Sequence, residues 1–107
     1  MRWYNRLYVG KRAKKHRFRI IEDIRDSKFQ TGAYVITPAS NGNNILDIYP
    51  AFTLLQPYYK NQENLLILGI GNGYWDALEV ARQIIDDMYQ ATGELELNSW
   101  LSLDDNE

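Results

Sequence analysis

The sequence predicts an α+β domain: a two-layer sandwich with helices on one face of a mixed β-sheet. Three observations predict it. Short β-rich runs alternate with two longer amphipathic stretches along 107 residues. A hydrophobic fraction of 45% and an aromatic fraction of 13% are enough to fill one core. Gly10 and Gly32 bracket one strand–helix–strand pattern, and Gly71 and Gly93 bracket a second with the same 22-residue spacing. The echo is too sparse to be a duplication. Two such units around a hairpin suggest a ferredoxin-like topology with an insertion near residues 40–62. One domain is expected over residues 1–103, followed by an acidic tail at 104–107.

Leu7-Tyr8-Val9 reads as the end of a first strand, closed by Gly10. Residues 11–27 read as a helix, because Ala13, Arg17, Ile20, Ile21 and Ile24 recur near one helical face. Ala33–Thr37 is β-rich and stops at Pro38, and Ile45–Tyr49 mirrors it. Between them, Ser40-Asn41-Gly42-Asn43-Asn44 is a turn signal. Ala51–Leu55 is a short helix candidate ended by Pro57. Asn64–Ile70 is the most apolar run and reads as a strand buried on both faces. Residues 74–92 are the clearest helix, with Ala77, Val80, Ala81, Ile84, Ile85 and Met88 on one face and Gly93 as its stop. Glu94–Asn98 alternates as an edge strand would.

Charge is sorted along this order. Residues 1–30 hold ten Lys and Arg against three carboxylates, a local charge of +7. Residues 31–107 hold two against eleven, a local charge of −9. Lys11, Arg12, Lys14, Lys15, Arg17 and Arg19 place six cations in nine residues. On a helix start they meet a dipole that already carries about +0.5 charge, so each costs about 0.3–1 kcal/mol. Plain solvation can leave the exposed charges as they are, and two arrangements relieve the cost. An anion can bind there, and nucleic acid supplies phosphates in series. Otherwise an antiparallel second helix can bring Asp86, Asp87 and Glu94 alongside, within the monomer or across an oligomer. The acidic sequence pI of 5.4 argues against a dedicated nucleic-acid binder, and no helix-turn-helix or RRM signature is present.

The turn Gly69-Ile70-Gly71-Asn72-Gly73 joins a buried-type strand to a helix, a context that can cradle a phosphate. Its spacing departs from the dinucleotide fingerprint, which requires glycine at Tyr74 or Asp76, and no Gly-Lys-Ser/Thr triplet occurs. Gly69, Gly71, Asn72 and Gly73 therefore read first as a tight turn, with Asn72 as a cap. A second surface is suggested by Tyr49, Phe52, Tyr58 and Tyr59. They sit in a proline-punctuated connection and are split between core filling and an interface.

No catalytic constellation stands out, and no metal site is expected. Cysteine is absent, which removes disulfides, thiol catalysis and iron–sulfur ligation. The single histidine, His16, has no nucleophile motif to serve. Asp47 lies between Leu46 and Ile48 and reads as an exposed strand residue. It becomes a site residue only if it points inward. No cofactor is expected. No run of about 18 apolar residues occurs, so no membrane span is expected and cytoplasmic residence is the default.

Over most of its length the chain resembles a family of short uncharacterised proteins from gut-type Firmicutes. The resemblance rests on Leu7-Tyr8-Val9-Gly10 before a basic helix, on Tyr34–Thr37 and on Leu46–Pro50. Gly73-Tyr74 before Ala77–Val80 completes it. It implies a bacterial stand-alone domain and carries no site residues. The expected role is a small non-catalytic protein-interaction or self-assembly domain, with a protein partner or homo-oligomer ahead of nucleic acid. The alternatives are an accessory nucleic-acid or phosphate binder using residues 11–19, then a small-ligand enzyme.

Overall fold

Four strands make one mixed sheet: β1 (Arg2–Val9), β2 (Ala33–Pro38), β3 (Leu46–Pro50) and β4 (Leu66–Asn72). The computed structural model describes residues 1–40, 44–60 and 64–105. The strands lie in the order β1-β4-β2-β3. β4 runs parallel to β1 and antiparallel to β2, and β2 runs antiparallel to β3. The helices are α1 (Arg17–Arg25), α2 (Pro57–Lys60), α3 (Tyr74–Thr92) and α4 (Leu97–Asp105).

The α+β class and the mixed sheet are as expected. The layering is different, because both faces of the sheet are covered. Val35 and Ile36 are consecutive in β2 and both fully buried, yet they belong to separate core clusters. Val35 packs in a cluster with Ile20 and Ile24 of α1, Leu54, Ile67 and Ile70. Ile36 packs with Leu68, with Val80, Ala81, Ile84 and Met88 of α3, and with Trp100 of α4. Successive strand side chains point to opposite faces, so each face has its own helical layer. The reason lies in β4. An apolar run with no polar face must be covered twice. The ferredoxin-like order does not form either. The two central strands, β4 and β2, are antiparallel, and the connection through α1 joins antiparallel strands rather than a parallel pair.

The expected helix over 11–27 is divided. A 3-10 turn at Lys14–His16 precedes α1. It is entered by hydrogen bonds from the Ala13 and Lys14 N–H groups to the Gly10 carbonyl at 2.9 and 3.1 Å. Ala13 is fully buried and pins this turn to the α1-side core. α3 matches its expected bounds and ends at Gly93 in the left-handed conformation, with φ 73°. The expected edge strand over 94–98 is replaced by the start of α4. The Glu96 carboxylate accepts from the Asn98 and Ser99 N–H groups at 3.2 and 2.7 Å, so the alternating Glu and Leu form a helix cap rather than a strand. α4 continues through Asp104 and Asp105, so the backbone of the expected tail is helical there. The hairpin turn expected at Asn41, Gly42 and Asn43 lies outside the described residues, although the flanking Pro38 and Leu46 are paired.

Candidate functional site

β1 and β4 are parallel neighbours whose helices leave in opposite directions. α1 follows β1 onto one face of the sheet, and α3 follows β4 onto the other. In open sheets a crevice forms beyond the carboxyl ends of such a pair, and ligands favour it. Here the crevice brings together the start of the basic segment and the glycine turn. The Gly10 N–H donates to the Ile70 carbonyl at 2.9 Å, and the Gly73 N–H donates to the Gly32 carbonyl at 2.6 Å. The Asn72 side-chain amide reaches the Arg12 carbonyl at 3.4 Å.

Asp76 occupies the middle of this junction. Its carboxylate accepts from the Asn72 N–H at 2.9 Å and from the Arg12 N–H at 3.3 Å. Gly10 leaves room for it, because a Cβ there would lie 2.1 Å from an Asp76 carboxylate oxygen. A negative group of the protein itself thus stands where the turn would meet a phosphate. Of the turn residues, Gly69 and Gly71 serve helix packing, since a Cβ on Gly71 would lie 2.6 Å from the Ala77 nitrogen. Asn72 is not the helix cap. Gly73 holds that position with no side-chain cap, and Asp76 bonds back to the turn instead. The sequence marks Asp76 only as an ordinary helix-start carboxylate.

The cations around the junction are exposed, with Lys11 and Lys14 lining a cleft beside Asp76 and Glu79 and Arg19 lining another beside Asp23. Lys11 and Arg12 follow β1, Lys14 and Lys15 lie on the 3-10 turn, and Arg17 and Arg19 lie on the first turn of α1. All six are exposed, and among the described residues none forms an ion pair with a carboxylate. Within the monomer, the pairing expected with Asp86, Asp87 and Glu94 does not form among the described residues. α1 and α3 lie on opposite sides of the sheet, and Asp87 is taken by the Tyr8 hydroxyl and by Gln83. Glu79 of α3 pairs with Arg82 on its own helix. That contact, with Lys11 adding a smaller share, holds the Glu79 carboxyl below its usual range.

Beside the basic segment lies a cleft of about 460 Å³. His16, Arg19, Asp23, Phe29, Gln30 and Asn72 are among its walls. Phe29 is 66% exposed and stacks on Phe52 with ring centroids 5.7 Å apart. Phe18 is 73% exposed, with the Arg17 guanidinium 4.8 Å from its ring centre. Nothing in the sequence pattern singles out Phe29. It falls in the connection between α1 and β2, where periodicity carries no information.

The tyrosine surface divides in two. Tyr49 and Tyr59 are partly buried against the α1-side core, their rings edge to face at 5.5 Å. Tyr58 and Phe52 stay exposed. Asp47 accepts from the Tyr49 hydroxyl at 2.7 Å, the Ser40 N–H at 2.9 Å and the Ser40 hydroxyl at 3.1 Å. Partial burial pushes its pKa up, but these hydrogen bonds outweigh that and leave it below the ordinary 3.8. Burial and the same Asp47 contact push the Tyr49 hydroxyl upward. Asp47 is therefore a structural acceptor that ties β3 to the start of the β2–β3 connection. A depressed folded-state value stabilises above the unfolded pKa, and the benefit is lost as pH falls through the folded value. At pH 7, Asp47→Ala is expected to cost about 1–2 kcal/mol in urea unfolding, and the difference from the parent should shrink below about pH 4.

Among the described residues no three His, Cys, Asp or Glu side chains come together as a metal-binding group. No helix there is long and apolar enough to cross a membrane. No protein family, curated protein or solved structure matches the chain.

Proposed function

We propose that this chain is a non-catalytic binding protein whose cationic segment, Lys11–Arg19, takes a nucleic acid. One observation carries the reading. Six exposed cations are held on an ordered turn and helix start, with no carboxylate paired to any of them among the described residues. The helix dipole and mutual repulsion both disfavour that arrangement, and a row of phosphates relieves both. The acidic remainder of the chain limits non-specific binding and leaves one face as the contact.

Binding to a labelled oligonucleotide, titrated between about 50 and 200 mM salt, tests this. Each phosphate contact on a duplex contributes about −0.9 to the slope of log K against log salt, or about −0.7 on a single strand. Lys14→Ala with Lys15→Ala should reduce the slope by about 2. No binding at the low-salt end, about 50 mM, would overturn the reading.

A second reading, a protein-contact surface, is favoured by Trp75. Its ring is 77% exposed at the start of α3, beside Tyr74 and Leu78, which are also exposed. A solvent-facing Trp with apolar neighbours has the composition of an interface centre. Light scattering across concentrations, with Trp75→Ala as the comparison, reports on it. A monomer at every concentration removes self-assembly.

A further inference from the structure

The geometry points to single-stranded nucleic acid as the partner, with one unstacked base entering the Phe29 cleft and its phosphates running along Arg12, Lys15 and Arg19. This rests on the nucleic-acid reading of residues 11–19. Three features of the cleft choose the strand type. First, it is a shallow, open cleft of about 460 Å³, accessible to an unstacked base from solvent. A duplex keeps its bases stacked inside and offers a cleft nothing to fill it. A single strand can splay a base out.

Second, Phe29 presents an aromatic surface at the cleft wall, two-thirds exposed and backed by Phe52. An exposed Phe pair gains nothing from water, but it gives a base a stacking platform with little ordering cost. Phe18, which carries the Arg17 guanidinium near its ring, supplies a second aromatic surface within the cationic segment.

Third, the polar groups of the cleft suit a base edge better than a phosphate. Asp23 stands in the wall and repels an anion, while its carboxylate accepts from an exocyclic amino group. Gln30 is fixed by its amide donating to the Ile20 carbonyl at 3.3 Å, which leaves its carbonyl oxygen as an acceptor. Of the six cations, Arg19 shares the cleft wall with Asp23, and the others continue along the segment. Arg19 in the wall can hold the phosphate that flanks the base, while the base itself enters beside Asp23 and Gln30.

The test uses the full chain and fluorescence anisotropy with three probes. They are a labelled single strand of about 12 nucleotides and mixed sequence, the same sequence as a duplex, and a labelled mononucleotide. The single strand should bind at least tenfold tighter than the duplex, and the mononucleotide should be much weaker than the single strand. Phe29→Ala should weaken single-strand binding about tenfold, leaving the salt slope and duplex binding unchanged. Phe29→Trp should restore single-strand affinity and shows that loss of stacking, not of folding, is being read. Equal affinity for duplex and single strand overturns the inference, as does a Phe29→Ala change below about twofold. In both cases salt-dependent binding would remain and the nucleic-acid reading would stand. Absence of binding to every probe at low salt removes both.

Discussion

Gly71→Ala is expected to lower the unfolding free energy by about 3 kcal/mol, a large effect for one added methyl. α3 crosses β4 so closely that the added Cβ would lie 2.6 Å from the Ala77 nitrogen and 2.7 Å from its Cα. Backbone atoms cannot rotate away, so relief requires α3 to move as a body. α3 carries Val80, Ala81, Ile84 and Met88 into the core, and displacing it opens gaps along the whole cluster. Urea denaturation read by tryptophan fluorescence measures the loss. A cost below about 1 kcal/mol would mean that α3 slides freely on the sheet and that the glycines do not fix its height.

The same glycines make part of the site legible in the sequence. A Gly-rich run between an apolar strand and an amphipathic helix marks a close turn by composition alone, and Gly69–Gly73 is that turn. The residue that closes the crevice is not legible. Asp76 is an ordinary first-turn carboxylate in sequence, and acidic residues are common there for the dipole alone. What sets it apart is its company. Gly10 makes room for it and the Arg12 N–H donates to it, and both follow the carboxyl end of another strand, β1.

The charge sorting is legible, but its meaning depends on which side of the sheet each helix takes. Composition places Lys11–Arg19 and Asp86–Asp87 on two helices, and periodicity gives each helix one apolar face. Neither says which face of the sheet that apolar side meets. The strand between them holds the answer, since Ile67, Leu68 and Ile70 leave no polar face on β4 and so require a layer on each side. Helices on opposite layers keep the basic segment away from Asp86 and Asp87, and only the start of α3, with Asp76 and Glu79, comes near it. Phe29 differs in kind. It lies in a connection, where a side chain's surroundings are set by tertiary structure alone.

Trp100→Ala is expected to cost about 3 kcal/mol and to release α4 from the rest of the fold. α4 has nine residues, too few to be helical in water by itself, so packing must hold it. Trp100 supplies that packing. It is 7% exposed, with its ring 5.7 Å from Tyr4 and 6.4 Å from Tyr8. Both tyrosines come from β1, an edge strand that pairs with β4, so the indole ties α4 to the α3-side face of that strand. Leu103→Ala on the same helix provides the comparison. Leu103 is exposed, and its removal should change stability by less than about 0.5 kcal/mol. Hydrogen exchange reads the two cases apart. In Trp100→Ala the α4 amides should lose protection while those of α3 and β4 keep most of theirs. Equal protection of α4 in both variants would show that Leu97 and Leu101, which also pack on this core, hold the helix in place without the indole.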